Sequence, residues 1–564
     1  MMLSSPDVTP EQQEIYDYRP FNMAIIAPAG CGKTEALAYR AKGLLERFDF
    51  SGNGRKLLII SFTNQARDNI RERLAKYISA QELRRHVTVC NFHGLAARII
   101  QAHGNVIGLD DTWEIADYDW VSKTLEKQTR YRETRAQVSA ALRNAKLSHL
   151  SDYEVMEELK SRSGQIGQFA VSIENTRLKR KIITYDDQLR TALWILRDQR
   201  VSQVYRNHFF AALVDEFQDL TSQQLQLVKA LCGNSVTYAG DIAQSIFSFA
   251  GADPNYVSQE ISKSCSKLIT LSTSYRSAPV VLDAVNSLSC LTGGKHLSAA
   301  FPSHWGNGGL SGFASFKDDN HEASWVVGMA QHILRHCPNQ RVGIISRTAF
   351  RSGAIKRLLA SKGIDYADWG NGAFSPRAAK VLRDICDGIE AKSFNDTQDI
   401  HRYIQQQFAA LEIPTEEFAD AASWLNDQYS QYQNGSLKIS EIKSNIKVRK
   451  TRGALATDSG IHCLTGHAGK GQQFDWVFIV GFEQGTMPFY KAEDKNEEAR
   501  ILSVMISRAR IGFVVTSAST VGKQSGKKHS EFLYYLQKNS NFINGRADIV
   551  KWCSATDWSA IAHM

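Results

Sequence analysis

The sequence predicts an α/β protein built on two successive parallel sheets, each interrupted by a helical insertion. Three observations carry this. Short apolar runs alternate with helix-period stretches from residue 23 onward, a glycine-rich turn separates the first run from the helix after it, and the alternation starts again in the second half. In the first half, residues 23–27, 57–61, 87–90, 213–214 and 236–239 read as buried strands, because strands covered on both faces lack the polar alternation of half-exposed ones. Residues 34–48, 64–78 and 222–231 read as the helices between them. A second series is expected to begin near Leu268, to run through 312–316 and 342–346 with helices around 323–335 and 354–362, and to resume at 462–464 and 477–480.

Two stretches break these series. Residues 104–208 are polar and poor in glycine, with Trp113, Trp120 and the basic run Arg177-Leu178-Lys179-Arg180-Lys181, and are expected to be helical throughout. Residues 376–452 are rich in Gln, Asn and Asp, with the turn-like Gln433-Asn434-Gly435-Ser436. The second stretch is shorter than the ~100–150 residues typical of an independent domain, so it is expected to pack on the second sheet. The resulting division is 1–103 with 209–265 for the first domain, 104–208 for its insertion, 266–375 with 453–564 for the second domain, and 376–452 for a reduced insertion.

Composition sets the outer limits. A chain of 564 residues exceeds one small module, and at ~150 residues per domain it suggests roughly four structural units. Hydrophobic residues at 43% and charged residues at 22% suit a folded globular chain, which excludes global disorder. The net charge of +9 permits a polyanionic partner without demonstrating one. Nine scattered cysteines with no C-x-x-C pair argue against a disulfide framework or zinc ribbon and point to a reducing cytoplasm. No stretch approaches 18 apolar residues, and the N-terminal residues lack the basic-then-apolar pattern of a secretion signal, so no membrane association is expected.

The chemistry begins at Ala27-Pro28-Ala29-Gly30-Cys31-Gly32-Lys33-Thr34, between a strand and a helix. In that context a P-loop wraps phosphates with backbone N–H groups, Lys33 neutralises β and γ oxygens, and the Thr34 hydroxyl ligates Mg²⁺. Ala29, Gly30, Cys31 and Gly32 form the cradle, so ATP with Mg²⁺ is the expected substrate pair. Leu213-Val214-Asp215-Glu216-Phe217-Gln218-Asp219 puts two acids at the end of an apolar strand. There Asp215 can reach the metal shell and Glu216 can orient or deprotonate the attacking water, which favours hydrolysis over phosphotransfer to a small molecule.

With Asp215-Glu216-Phe217-Gln218-Asp219 the chain resembles the UvrD/Rep family of superfamily 1 DNA helicases, and further segments agree in order. Gln12 is similar to the family's adenine-reading glutamine. Ser61-Phe62-Thr63-Asn64-Gln65-Ala66 and Asn91-Phe92-His93-Gly94-Leu95 resemble two DNA-contacting motifs. The segment from Gly240 to Ala252 resembles the motif that couples the γ-phosphate, through Gln244, to the base-stacking aromatics Phe247 and Phe249. Ser274-Tyr275-Arg276-Ser277 resembles the motif whose tyrosine stacks on adenine and whose arginine meets the γ-phosphate. Leu464 to Gly471, with His467 as DNA contact and Gly471 beside the nucleotide, and Ile506 to Arg510, with Arg508 as arginine finger, resemble the last two motifs.

The resemblance implies two tandem RecA-like domains and an ATP-driven translocase or helicase moving 3′ to 5′ on single-stranded DNA and tailed duplexes, in DNA repair or defence. Its set of catalytic residues is Lys33, Asp215, Glu216, Gln244, Arg276 and Arg508. Arg276 and Arg508 would arrive from the second sheet, so that closure depends on the γ-phosphate; an arginine finger can supply ~10³–10⁵ in rate. Phe62, Phe92, Phe247 and Phe249 can each offer a ring to a base, worth ~1–3 kcal/mol per stack. Glu35 stands where the family commonly has an arginine, Gln473 where it has an acid, and Ala250 where its Arg-Gly-Ala begins. A second reading is an ATP-gated DNA sensor regulating a partner nuclease subunit, as in Gabija-type anti-phage systems. A third, a small-molecule P-loop kinase, is weakened by the paired arginines and by the second acid of Asp215-Glu216.

Overall fold

The protein is described by a computed structural model covering residues 8–50, 54–61, 70–116, 120–246, 254–305, 309–369, 376–390, 459–467, 472–490, 492 and 494–562, with isolated residues between 391 and 458. In chain order, β1 (Met23–Ile26), β2 (Lys56–Ile60) and β3 (Val87–Cys90) precede a two-residue pair, β4 (Glu114–Ile115) and β5 (Ile182–Ile183). Then follow β6 (Phe209–Asp215), β7 (Val236–Gly240) and β8 (Lys267–Thr270). The first sheet is parallel, in the order β3-β2-β6-β7-β1-β8. Successive residues of its strands enter opposite cores: Ala24, Leu58, Ile60 and Val214 pack on one face, and Ile25, Leu57, Ile59 and Leu213 on the other. Burial on both faces is why these strands are continuous apolar runs.

The run near Leu268 belongs to this first sheet, which corrects its assignment to the second. β8 pairs with β1 from Met23↔Lys267 to Ile26↔Thr270, and the Asn22 and Ile26 carbonyls accept from the Ser266 and Leu271 amides at its two ends. An apolar run marks a buried strand but carries no information about its partner.

β9 (Thr273–Ser274) and β10 (Ser298–Ala299) form a separate parallel pair. The second sheet comprises β11 (Leu310–Asp318), β12 (Arg341–Ser346), β13 (Tyr366–Asp368), β14 (Gly460–Thr465), β15 (Phe474–Val480), β16 (Ala509–Thr520) and β17 (Ile543–Asn544). It is also parallel, in the order β13-β14-β12-β15-β16-β11-β17. Two tandem parallel α/β sheets are therefore present.

The described residues of 104–208 are mostly helical, with short loops between the helices and the two-residue strands β4 and β5. The helices between Trp120 and Lys179 close around a core of their own, including Leu125, Leu142, Leu159 and Ile173. Tyr185–Ile195 and Gln199–His208 instead bury Leu189, Leu193 and Val201 in the core of the first sheet. After the second sheet's β13, the helix Pro376–Glu390 packs Leu382, Ile385 and Cys386 with Ile404, Leu425 and Ile442. All nine cysteines are unpaired, and no helix among the described residues is long and apolar enough to cross a membrane.

Candidate active site

Three neighbouring strands of the first sheet, β6, β7 and β1, end on the same edge, and the loops leaving them carry the predicted phosphate chemistry. Ligands of open parallel sheets bind outside such carboxyl ends. After β1 the turn uses Gly30 at φ 85° and Gly32 at φ 80°, left-handed values that glycine adopts without strain. Gly32 then caps the helix Lys33–Arg47, directing that helix's N-terminal N–H groups and positive dipole end into the turn. Thr34 is its second residue.

Lys33 is ion-paired with Glu216 and lies 3.4 Å from Asp215 Oδ1. Burial alone would pull its ammonium down, but Asp215 and Glu216 outweigh burial and hold it above the ordinary lysine range. Burial pushes the Asp215 carboxyl up, Lys33 pulls it back, and the Glu216 charge adds to the rise. Glu216 has φ 54°, an uncommon conformation for a residue with a side chain. The backbone turns there, out of β6 and into the short helix Phe217–Asp219.

Gln218 ties the two acidic loops together. Its Nε2 donates to Glu216 Oε2 at 2.6 Å, while its Oε1 accepts from the Asp241 amide at 3.0 Å. Asp241 in turn accepts from Gln244 Nε2 at 2.8 Å and from the Ala243 amide at 3.0 Å. Asp215, Glu216, Asp219 and Asp241 thus stand around Lys33, four carboxylates about one ammonium. Thr34 and Asp215, a hydroxyl and a carboxylate of the kind a hard divalent cation takes, are the residues that would hold Mg²⁺.

The second half approaches this edge closely. A Cβ on Gly30 would lie 2.8 Å from Ser274 Oγ and 2.9 Å from Arg276 Cβ, so the glycine is what admits the Ser274–Arg276 segment. The Gly30 carbonyl accepts from the Tyr275 amide at 3.1 Å. Arg276 sits beside Cys31, and burial lowers its guanidinium from the usual value. Burial also pushes the Cys31 thiol up to about 12. Tyr275 is half-buried with Glu11 and Cys31 as charge neighbours, next to the helix that carries Gln12. The Gln12 side chain is itself engaged in a capping box with Thr9. Arg500 Nε donates to the Ser245 carbonyl at 3.0 Å, a further bond between the halves.

Arg508 is buried and bonded within its own half, to Val504 O at 2.9 Å, Ser507 Oγ at 3.1 Å and Gln472 O at 3.4 Å. Its neighbour Ser507 lines the cleft beside Ala29 and Gln244.

The sequence matches the model of the UvrD/REP helicase N-terminal domain over residues 8–264 and that of the UvrD-like helicase C-terminal domain over residues 394–520. The chain belongs to the UvrD/Rep family of superfamily 1 DNA helicases. It is 25% identical over 596 residues to the ATP-dependent DNA helicase UvrD2 of Mycobacterium tuberculosis, across 96% of this chain and 82% of that protein. It is 23% identical over 652 residues to the ATP-dependent DNA helicase PcrA of Staphylococcus aureus, across 96% of this chain and 88% of the relative.

Among the DNA-contact residues expected from the UvrD/Rep resemblance, Phe62, Thr63, Asn64, Phe247 and Phe249 lie outside the described residues, as does Gly471 of the nucleotide set. Phe92 is a correction. It is 2% exposed within the core of the first sheet, packed there because it opens the amphipathic helix Phe92–His103 on its apolar side. His93 is half-buried, stacked on Tyr185 with ring centroids 3.7 Å apart and joined to its hydroxyl through Nδ1 at 2.8 Å. Burial drives the His93 imidazole down to about 3, so it is neutral. His467 is buried just after β14. In the basic run, Arg177 is buried in ion pairs with Asp152 and Glu174, which removes it from any exposed DNA-facing stripe.

Sequence reasoning missed Gln218 as the link between the acidic loops, although it lies inside the quoted Asp-Glu-Phe-Gln-Asp segment. It also missed Tyr185, for which an isolated tyrosine at a helix start gave no signal. Glu35, the departure from the UvrD/Rep pattern, pairs with Arg73 at 2.9 Å.

Proposed function

We propose that this UvrD-like helicase is a single-stranded-DNA translocase that hydrolyses ATP between its two sheets and moves 3′ to 5′. The observation that carries the ATPase part is the convergence of Lys33, Asp215, Glu216 and Asp241 on the edge that Tyr275 and Arg276 approach from the other side. In this reading the helix N-terminus and Lys33 bind the phosphates, Tyr275 and Gln12 flank the adenine, and Arg276 faces the γ-phosphate. Mg²⁺, when bound by Thr34 and Asp215, supplies charge neutralisation of the phosphate oxygens. Glu216 accepts the proton of the attacking water as the bond from the γ-phosphorus to the bridging oxygen breaks, leaving ADP and phosphate. Gln218 keeps Glu216 in register with Asp241 and Gln244, so loss of the γ-phosphate is felt on both loops.

Arg508 reaches the phosphates only when its bonds to Val504 and Gln472 are exchanged, which assigns it to the closed cleft. Phe62, Phe247 and Phe249 serve as stacking grips on the strand. The reduced 376–452 segment leaves less material to hold a fork, so long duplexes need a partner.

The test is ATP hydrolysis with and without single-stranded DNA, together with translocation on bare strands and separation of short and long tailed duplexes under single-turnover conditions. Stimulation with directional movement is expected. Stimulated hydrolysis without movement would replace the motor with an ATP-gated sensor acting on a partner nuclease. Processive opening of long duplexes by the protein alone would remove the partner requirement.

A further inference from the structure

Between the two halves lies a shallow cleft open to solvent, with Pro28 and Ala29 of the phosphate-binding turn and Gln244 on one wall and Ser507 on the other. Lys295 lines the same cleft and is exposed. Lys33 is engaged with Asp215 and Glu216, and Arg508 with Val504 and Gln472, while Arg276 lies buried beside Cys31. Lys295 has no hydrogen-bond or ion-pair partner among the described residues.

Its position is built by the chain around it. Gly293 takes φ 72°, and a Cβ on Gly294 would stand 3.3 Å from Ala243 Cβ, so the loop rests directly on the turn that carries Gln244. On the far side Asn286 clamps Leu297, donating to its carbonyl at 2.8 Å and accepting from its amide at 2.8 Å. The chain then enters β10, which pairs with β9 at Ala299↔Ser274, immediately before Tyr275 and Arg276. One short loop therefore touches both the Gln244 turn and the strand leading to Arg276, and it holds an ammonium over the space between them.

We propose that Lys295 is a γ-phosphate-binding residue, supplied by the second half and separate from Arg276 and Arg508. This rests on the ATPase reading above. If Lys33 holds β and γ oxygens, the terminal phosphate lies toward Ala29 and Gln244, where a free ammonium gains a charge-assisted hydrogen bond. ADP offers no oxygen there. Lys295 thus favours ATP over ADP and makes closure of the cleft conditional on the γ-phosphate.

The experiment compares the parent, Lys295→Ala and Lys295→Arg in affinity for a non-hydrolysable ATP analogue and for ADP, with ATP hydrolysis and single-strand affinity measured alongside. For Lys295→Ala the preference for the triphosphate should fall about tenfold, the size of one charge-assisted contact. ADP affinity and the thermal midpoint should stay near those of the parent. Lys295→Arg should restore most of the preference. An unchanged triphosphate-to-diphosphate ratio in an active parent would overturn the assignment and leave the ATPase reading intact. Weakened DNA binding with an unchanged ratio would overturn it in favour of a strand contact. A parent that does not hydrolyse ATP would overturn both.

Discussion

Gln218 donates to the Glu216 carboxylate at 2.6 Å and, through its other amide atom, receives the Asp241 N–H at 3.0 Å. The Glu216 backbone is left-handed, so its carboxylate position is maintained by this bond and by Lys33 against a local conformational preference. Gln218→Ala should lower kcat for ATP about 10–100-fold while changing KM only a few-fold, because orientation of a base affects the transition state more than ground-state binding. Steady-state DNA-stimulated hydrolysis measures this. A variant with parental kcat would show that Glu216 needs no such support.

Lys33 and Glu216 form an ion pair, yet their substitutions should differ. Lys33→Ala removes a phosphate countercharge and should abolish turnover and weaken ATP binding together. Glu216→Gln keeps the volume and should lower kcat by at least about 10²–10³ while ATP still binds. Equilibrium binding of a fluorescent ATP analogue beside hydrolysis separates the two. Normal hydrolysis by Glu216→Gln would sink its assignment as the base.

Much of this centre was legible because the physics is local. A strand covered on both faces is an unbroken apolar run, and a phosphate turn needs glycines and a Lys-Thr pair within a few residues, so β1, Gly30 to Thr34 and Asp215-Glu216 stand out from sequence. Partner choice is not local. Nothing in residues 267–270 distinguishes an edge strand of the first sheet from the opening of the second. Exposure is equally hidden: Phe92 reads as a base platform or as core until the sheet beneath it is placed, and it is core. Arg177 and Arg180 look alike in a basic run, but only Arg177 points inward, toward acids contributed by the helices Asp152–Ser161 and Gly164–Lys179.

His93 gives a pH dependence with a definite sign. Its imidazole stays neutral in the fold down to about 3, whereas in the unfolded chain it takes a proton near the ordinary ~6.5. Between those values the unfolded state binds more protons, so stability falls as pH drops through ~6.5. Replacing it with His93→Gln should flatten the slope between pH 7.5 and 5 by up to one proton, at most ~1.4 kcal/mol per pH unit. Denaturant unfolding at several pH values measures the slope. An unchanged slope would mean that His93 is protonated equally in both states.

The basic run at 177–181 divides into two kinds of residue, and the last prediction follows from that division. Arg177 is 2% exposed and donates to Glu174 at 2.5 Å and to the Ile182 carbonyl at 2.9 Å, with its Nη2 also 2.5 Å from Asp152. Arg190 meets the same Asp152 at 2.6 Å, and Lys146 lies 2.8 Å from Asp187 and 3.3 Å from Glu174, so cations and acids alternate through the packed helices. Removing Arg177 leaves the buried acids of this set one countercharge short, at a cost of up to about 3–5 kcal/mol. Lys179 and Arg180 are exposed, and their removal should change stability by no more than ~0.5 kcal/mol. Arg177→Ala should therefore lower the unfolding midpoint sharply. Lys179→Ala with Arg180→Ala should leave the midpoint in place, and should reduce the salt dependence of single-strand binding if these two touch phosphates. Thermal unfolding and DNA titrations at two salt concentrations separate the outcomes. A fully stable Arg177→Ala variant with weakened DNA binding would show that the guanidinium leaves its buried acids to reach the strand.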